Sequence, residues 1–299
     1  MSTNSTIAAE NFRGCMFMLL AMASFAVGDT ILKVVSSQLP LAQILVTRGI
    51  FAAVMLTIAT AALQQFCPVR VIFTAPFLLR LLGEIVATAF FLTALFNMPI
   101  ANASAIMQAL PLTVSLGAAY FFGETIGWRR IMAIMIGFIG VLFIVQPGLE
   151  GFNAFSIYCL IGVAGTTLRD LATRKLDPSI PTLFVSLITV IVIILFGLIL
   201  SFFQPWKPIT TYELVNLGFA SLFLISGFYT IVAAMRVGEV GVVTPFRYTV
   251  LIFAVILGIL VFDEYPDTLT ITGSFIVVAS GIYTIFRERK LARQLAVNQ

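Results

Sequence analysis

Hydrophobic residues run along this chain in ten long blocks, separated by short polar stretches that often contain proline. Each block is close to the roughly 20 apolar residues that a helix needs to cross a lipid bilayer. None shows the alternating polarity of a membrane-spanning β-strand. We therefore predict ten transmembrane helices, over residues 14–34, 41–63, 76–97, 102–121, 128–146, 154–171, 181–203, 213–234, 241–262 and 268–287.

Composition also favours a lipid environment. Of 299 residues, 60% are hydrophobic and 10% are charged, with a mean hydropathy of +1.09. Soluble domains contain about 45–50% apolar and about 25% charged residues. The expected partners are therefore the bilayer and a small molecule, and the net charge of +4 gives no reason to expect nucleic acid. The polar start, residues 1–14, lacks the basic region, apolar core and cleavage site of a signal peptide.

The distribution of Lys and Arg predicts the orientation, because cytoplasmic loops are enriched in both. With a cytoplasmic N-terminus, thirteen of these residues fall on the cytoplasmic side and only Lys33 and Lys207 on the other. We therefore predict a multi-pass protein of the bacterial inner membrane with both termini in the cytoplasm. The thirteen are Arg13, Arg70, Arg80, Arg129, Arg130, Arg169, Arg174, Lys175, Arg236, Arg287, Arg289, Lys290 and Arg293.

Two similar segments reveal an internal repeat. FFGETIG, containing Glu124, ends the fourth block, and VFDEYPD, containing Glu264, ends the ninth block 140 residues later. GDTILK in the first block similarly matches GTTLRD in the sixth. Since five helices separate the copies and five is odd, the second copy must cross the membrane upside down. The predicted fold is thus an all-α integral membrane protein, with ten transmembrane helices as two inverted five-helix repeats around a central cavity.

The predicted repeats cover residues 12–148 and 151–288, and residues 289–299 form a cytoplasmic tail. This arrangement resembles the EamA-type members of the drug/metabolite transporter superfamily. The resemblance rests on two sets of five spans, on the acid after each fourth helix, and on the glycine-bearing helices GFIGVLFI and GSFIVVASGIY that follow. It implies a carrier whose cavity is lined mainly by helices 3, 4, 8 and 9, with helices 1 and 6 nearby. Val185 stands near the place equivalent to Arg48, so the repeats have diverged there.

Charges within the spans are candidate functional residues, because each costs about 2.5–3.5 kcal/mol at the bilayer centre on insertion scales. Asp29 and Lys33 are four residues apart and share one helix face, which is compatible with an internal ion pair. Arg48 in the second span is a candidate structural or gating partner for them. Arg169 and Asp170 in the sixth span are further candidates for gating or structural roles.

Glu84 and Arg247 are the leading candidates for contact with a substrate. Glu84 lies about two turns into the third span, where it either pairs locally with Arg80 or faces the cavity. Arg247 lies at a similar depth in the ninth span and, being always protonated, suits a carboxylate or a phosphate. A direct Glu84–Arg247 contact is therefore predicted.

Several uncharged residues complete the predicted substrate site. Gln108 lies mid-span beside Pro111, which frees a backbone carbonyl and kinks the helix. Gln108 is also suited to a hydrogen bond between helices. Tyr229 and Tyr248 are the predicted aromatic residues of the cavity, although tyrosine is also common between packed helices.

The recurring acids Glu124 and Glu264 are predicted to be helix-end anchors. Each lies at a membrane boundary, where it can accept hydrogen bonds from amides at the start of the next helix. The same position suits a latch that closes one end of the cavity.

The predicted function is secondary transport, by alternating access, of a small organic metabolite such as an amino acid or a vitamin. Riboflavin-type and nucleotide-like cargoes are alternatives, and proton coupling through Glu84 or Asp29 stays open. The chain contains no histidine, no CxxC pair and no ATP-binding motif. We therefore predict no metal, no cofactor and no enzymatic activity. A membrane enzyme or a channel remains the rival class. Substrate, direction and oligomeric state stay open.

Overall fold

The structure, a computed structural model, describes the backbone of residues 2–123, 127–148 and 153–297. Side chains are described over the same ranges, apart from residues 2–8, 130, 240, 241, 285 and 287–297. The helix-end acid Glu124 therefore lies outside the described residues.

Helices make up nearly all of the described chain. The α-helices are α1 (Ser2–Ser36), α2 (Leu41–Ala62), α3 (Ala75–Asn97), α4 (Ile100–Met107), α5 (Leu110–Phe122), α6 (Trp128–Val145), α7 (Phe155–Thr173), α8 (Thr182–Leu200), α9 (Thr211–Val237), α10 (Val240–Val243), α11 (Thr249–Phe262) and α12 (Thr268–Val297). Two short 3₁₀ helices, η1 (Val69–Phe73) and η2 (Thr244–Tyr248), lie between them.

These helices form ten spans, which confirms the predicted fold class. In the described ranges, seven are long and apolar enough to cross a bilayer; α4 joins α5 in one, and η2 joins α11 in another. Two shorter apolar stretches lie in α6 and α12. The remaining span is α7, whose last two turns contain Arg169 and Asp170.

The fourth and ninth spans are each interrupted. Proline lacks an N–H group and its ring clashes with the carbonyl four residues earlier. In the fourth span, Pro111 lies four residues after Met107, where α4 ends. In the ninth span, Pro245 lies at the start of η2, which separates α10 from α11. The predicted interruption at Pro111 is thus present, and its counterpart lies in the other repeat.

Both interrupted spans also end in the same way. The fourth ends at Phe122 and is capped by Gly123 with φ 67°, and the ninth ends at Phe262 and is capped by Asp263 with φ 55°. A residue in the left-handed region terminates an α-helix because it turns the chain away from the helix axis. The two repeats therefore share a local backbone conformation as well as a sequence pattern.

The helices pack in pairs that respect the two-fold relation between the repeats. The most extensive contacts join α1 with α9, α3 with α7, α2 with α8, and α6 with α12, and α4 also packs against α11. Exchanging each span for its counterpart five spans away turns the first pair into the second and returns the other three to themselves. Each repeat therefore packs against the other rather than forming a separate bundle.

Glycines allow a close approach between α3 and α7. A Cβ added at Gly165 would lie 2.6 Å from the nitrogen of Ala87 and 3.0 Å from the carbonyl oxygen of Gly83. A Cβ added at Gly83 would lie 2.6 Å from the nitrogen of Arg169. Since backbone atoms cannot move aside as a flexible side chain can, both positions require glycine.

We expect Gly165→Ala to destabilise the protein by about 1–3 kcal/mol, as at other overpacked positions. Gly28 is its counterpart in α1 and provides a matched control, since a Cβ there would lie 3.6 Å from the Cβ of Phe223 and 3.8 Å from the Ala220 oxygen. Gly28→Ala should leave stability unchanged or raise it, because alanine favours helices. Thermal unfolding in detergent measures both effects, and equal losses in the two variants would contradict the packing argument.

Candidate functional site

Charged side chains from several spans meet in the interior of the bundle. They come from α1, α2, α3, α7 and η2, and their charges interact across helix boundaries: Asp29, Arg48, Arg80, Glu84, Arg169, Asp170 and Arg247. Four are cations and three are anions, so this central cluster has one excess positive charge. Such a cluster in a span is expected at a substrate or ion pathway.

One ion pair in the central cluster joins α3 to α7. Arg169 Nη1 lies 3.3 Å from Glu84 Oε2, and Arg169 Nε donates a hydrogen bond of 2.9 Å to Asp170 Oδ1. Glu84 directly follows Gly83, so the close approach of the two backbones brings it beside Arg169. The side chains of Arg169 and Glu84 are 24% and 18% exposed, which leaves both accessible to water in the cavity.

This pair corrects the predicted Glu84–Arg247 contact. Glu84 lies on α3, which packs directly against α7, whereas Arg247 lies on η2, which packs against α1, α10, α11 and α12. Arg80 interacts with the charge of Glu84 but donates its hydrogen bond, of 2.5 Å, to Thr189 on α8. Arg80 therefore does not form the local ion pair with Glu84 that was the alternative prediction.

Arg247 combines accessibility with close protein surroundings. Its side chain is exposed although protein atoms surround it on most sides, as expected of a residue that lines an internal cavity. Its charge is attracted by Asp170 and repelled by Arg169. Among the described side chains, none forms an ion pair or a hydrogen bond with its guanidinium. Arg247 is therefore a cation whose hydrogen-bond donors remain open to a ligand.

Asp29 and Arg48 interact across α1 and α2, in agreement with the predicted role of Arg48 as a partner for this region. Arg48 is also attracted by Glu84, so it connects the two parts of the central cluster. The predicted Asp29–Lys33 pair is wrong. Lys33 lies one turn nearer the end of α1, where its amine reaches Glu264 instead.

Lys33 and Glu264 connect three elements at one end of the bundle, which we call the Lys33 end. The Lys33 amine lies 2.5 Å from Glu264 Oε1 and donates a hydrogen bond of 2.7 Å to the Met98 carbonyl. Glu264 Oε2 accepts a hydrogen bond of 2.9 Å from the amide of Ile100, the first residue of α4. Because a helix N-terminus favours negative charge, both oxygens of Glu264 have a positive partner.

The structure changes the predicted anchoring role of Glu264. It caps the start of α4 in the other repeat, whereas the following helix, α12, is capped by Asp267 through a hydrogen bond of 3.0 Å from the amide of Thr270. Asp267 immediately precedes α12, and Glu264 is three residues too early for this role. Burial raises the pKa of Asp267, but hydrogen bonds donated by Thr270 and Gln146 outweigh it, and the pKa lies below its usual range.

The remaining candidates are uncharged residues, of which Tyr248 lies next to Arg247. Gln108 is buried and donates to the Ser104 carbonyl of its own helix, at 3.3 Å, rather than to another helix. Tyr248 is buried against α12, where a Cβ at Gly281 would overlap its hydroxyl group. Tyr229 is 73% exposed on α9, roughly opposite the face on which Gly227 contacts α1. The structure thus does not bring Tyr229 to the central cluster.

Sequence reasoning did not identify Arg169 as the partner of Glu84, although it named both residues. A usable indication was present in the glycines Gly83 and Gly165. One immediately precedes Glu84, and the other lies one helical turn before Arg169. Glycine in the interior of an apolar helix often marks the point where two backbones approach closely.

We expect Arg169→Gln to destabilise the protein, because it leaves Glu84 without its closest partner. The loss should be about 1–3 kcal/mol, below the 3–5 kcal/mol of a fully buried pair, since both side chains are partly exposed. Glu84→Gln in the same chain should restore part of it. A double-mutant cycle on thermal unfolding in detergent measures this coupling, and strictly additive losses would contradict the pair.

Comparison with known proteins places this geometry in a family context. The model of the EamA-like transporter family matches residues 12–146 and again 155–287. The S-adenosylmethionine uptake transporter of Rickettsia bellii is 26% identical over 200 residues, which cover 64% of this chain and 66% of that protein. The match thus spans slightly less than two thirds of this relative's length.

Two other relatives match over nearly their whole length. The pseudopaline exporter CntI of Pseudomonas aeruginosa is 24% identical, with 90% of this chain and 94% of that protein covered. The riboflavin transporter of Vibrio cholerae is 26% identical, with 94% and 96% covered. A crystal structure at 16% identity covers 95% of this chain and 99% of its own, with a TM-score of 0.62, and so shares the fold. The two matches of the family model, one in each repeat, show that the chain belongs to the EamA-like transporter family.

Proposed function

We propose that the protein is a secondary carrier of a small organic metabolite that carries a carboxylate, such as an amino acid. Arg247 carries the proposal. It is an accessible guanidinium at a helix interruption within a span, and no described side chain occupies its donors. A guanidinium is always protonated and binds a carboxylate through two parallel hydrogen bonds. A guanidinium within a membrane span that has no partner among the described side chains is expected to bind an anion.

The rest of the central cluster fits the same cargo. Its excess positive charge favours an anionic group, while the Arg169 guanidinium is already engaged by Glu84 and Asp170. Gln108 and Tyr248 occupy matching places at the two interruptions. Each would act on the substrate only if the interruption opens, because both side chains are buried.

Alternating access follows from the inverted repeat. Two halves related by an axis in the membrane plane can exchange conformations, so that the cavity opens first to one side and then to the other. The interruptions at Pro111 and Pro245 provide matched points at which the fourth and ninth spans can bend.

We propose Asp29 rather than Glu84 as the residue of proton coupling. Glu84 lies 3.3 Å from an Arg169 nitrogen, so proton uptake there would break an ion pair. Asp29 is attracted by Arg48, but no ion pair or hydrogen bond to a described residue holds its carboxylate. A carboxylate that no such contact holds can exchange a proton without breaking an ion pair or a hydrogen bond.

Relatives with names for S-adenosylmethionine, pseudopaline and riboflavin differ in cargo and in direction. A riboflavin-type vitamin is the second candidate, favoured by the match over nearly the full length of the Vibrio cholerae protein. The two candidates differ in their need for Arg247, because the isoalloxazine ring of riboflavin is uncharged and would not require a cation.

We expect purified protein in liposomes to show saturable uptake and counterflow of a carboxylate-bearing metabolite, found by a thermal-shift screen of amino acids, nucleotides and vitamins. Arg247→Ala should lower transport at least about tenfold, the effect of losing one charge-assisted contact. Arg247→Lys should restore transport only partly, because an ammonium cannot make the forked contact. An imposed proton gradient should accelerate uptake by the unaltered chain but not by Asp29→Asn.

Arg236→Ala is the matched control for this experiment, since Arg236 lies exposed in the last turn of α9. It should transport normally per milligram of inserted protein. Normal transport by Arg247→Ala would remove Arg247 from the site. Ohmic current without saturation would indicate a channel.

Both termini are expected to lie in the cytoplasm of a bacterial cell, with the Lys33 end facing outwards. Eleven Lys and Arg residues outside the central cluster fall on the cytoplasmic side in this orientation, against two on the other. A C-terminal alkaline phosphatase fusion should be inactive and a C-terminal green fluorescent protein fusion fluorescent. The opposite pattern would reverse the assignment of the two ends.

A further inference from the structure

A cavity lies at the Lys33 end, apart from the central cluster. It has a volume of about 680 Å³ and lies where α1, α3, α8 and α11 end and α2 begins. Lys33 and Phe262 line it together with polar side chains that include Ser37, Thr93 and Asn97. This size is within the range of pockets that bind small organic molecules, which is about 300–1,000 Å³.

Lys33 supplies the positive charge of this cavity. Its side chain is only 9% exposed, and the amine is held by Glu264, by the Met98 carbonyl and by the ring of Phe262, whose centroid lies 4.8 Å away. A cation with so little exposure needs a counter-charge, and Glu264 provides one. The side chain of Glu264 is 22% exposed, so it can return to water more easily than Lys33 can.

We infer that this cavity is a first binding site for the carboxylate of the transported metabolite, and that Lys33 binds it in place of Glu264. The inference rests on the proposed transport function and adds a site outside the central cluster. Exchange of one carboxylate for another at Lys33 keeps the number of ion pairs constant. The exchange therefore avoids the cost of leaving a partly buried amine unpaired.

Binding at this site also releases a mechanical connection. Glu264 joins α1, through Lys33, to the start of α4, through the amide of Ile100. When a substrate carboxylate takes Lys33, Glu264 no longer holds α1 to the end of α11. Occupation of the cavity thus loosens the Lys33 end of the bundle, and the same site serves as binding site and latch.

The repeat register confines this device to one side of the membrane. GDTILK in α1 corresponds to GTTLRD in α7, so Asp170 stands where Lys33 stands in the other repeat. Asp170 is paired with Arg169 and supplies no cation that could bind a carboxylate as Lys33 can. The two repeats are therefore chemically different at this position.

A cysteine placed in the cavity tests this inference without any transport assay. Ser37 is exposed and lines the cavity, so Ser37→Cys should react with N-ethylmaleimide in purified protein, after subtraction of labelling in the chain without this change. Succinate should slow the reaction, and succinamide, which has the same carbon skeleton without charge, should not.

Variants of Lys33 and of Glu264 should change the succinate concentration needed for protection in opposite directions. Glu264→Gln keeps an acceptor for Ile100 but removes the competing charge, so the half-protecting succinate concentration should fall about tenfold. Lys33→Gln should raise it by about the same factor, and Lys33→Arg should retain protection. If Lys33 and Glu264 served only to hold the helices together, Glu264→Gln and Lys33→Gln would change the half-protecting succinate concentration in the same direction.

Equal protection by succinamide, or protection that survives in Lys33→Gln, would overturn the inference. Because the assay measures occupancy of the cavity, a negative result here leaves saturable uptake by the central site standing. Absence of uptake with protection intact would instead overturn the proposed function.

Discussion

Charge in a low-dielectric interior is the constraint on which the arrangement of this protein depends. Each ionised side chain within the bilayer must find an opposite charge, a hydrogen-bond partner or water. Glu84 and Arg169 satisfy one another across α3 and α7, and Lys33 and Glu264 do so between α1 and the end of α11. These pairs come from different repeats, so the halves cannot separate without exposing charge.

Arg247 departs from this rule and is for that reason informative. It has accessible donors without a described ion-pair partner, at a point where Pro245 interrupts the helix. Unsatisfied polar groups at membrane depth are tolerated where they line a water-filled cavity. A residue that would be costly in a packed span is therefore compatible with a water-filled cavity at this point.

The two-fold relation between the repeats is close in the backbone and looser in the side chains. Interrupted spans end at Phe122 and Phe262 with the same left-handed cap. In contrast, Lys33 corresponds to Asp170, and Arg48 lies near the place equivalent to Val185, which packs in an apolar cluster with Phe77. A shared backbone permits two exchangeable conformations, whereas the charges at corresponding positions differ between the repeats.

The sequence by itself determined the membrane environment, the ten spans, the inverted repeat and the points of interruption. These features follow from hydrophobic length, odd helix number and the missing N–H of proline, all of which are properties of local sequence. The candidate charges could also be named, because any ionisable residue in an apolar block is conspicuous. The domain boundaries and the roles of the site residues stay predictions.

Only the tertiary structure decided which charges meet. Glu84 pairs with Arg169 rather than Arg247, because Gly83 and Gly165 let α3 and α7 approach more closely than other side chains allow. Lys33 pairs with Glu264 rather than Asp29, because the fold brings Glu264 and the Met98 carbonyl to its amine. Tyr229 lies on an outer face for a similar reason, since the contact of Gly227 with α1 sets the rotation of α9. Helix rotation and interhelical distance depend on contacts far apart in the chain, and helical spacing alone does not encode them.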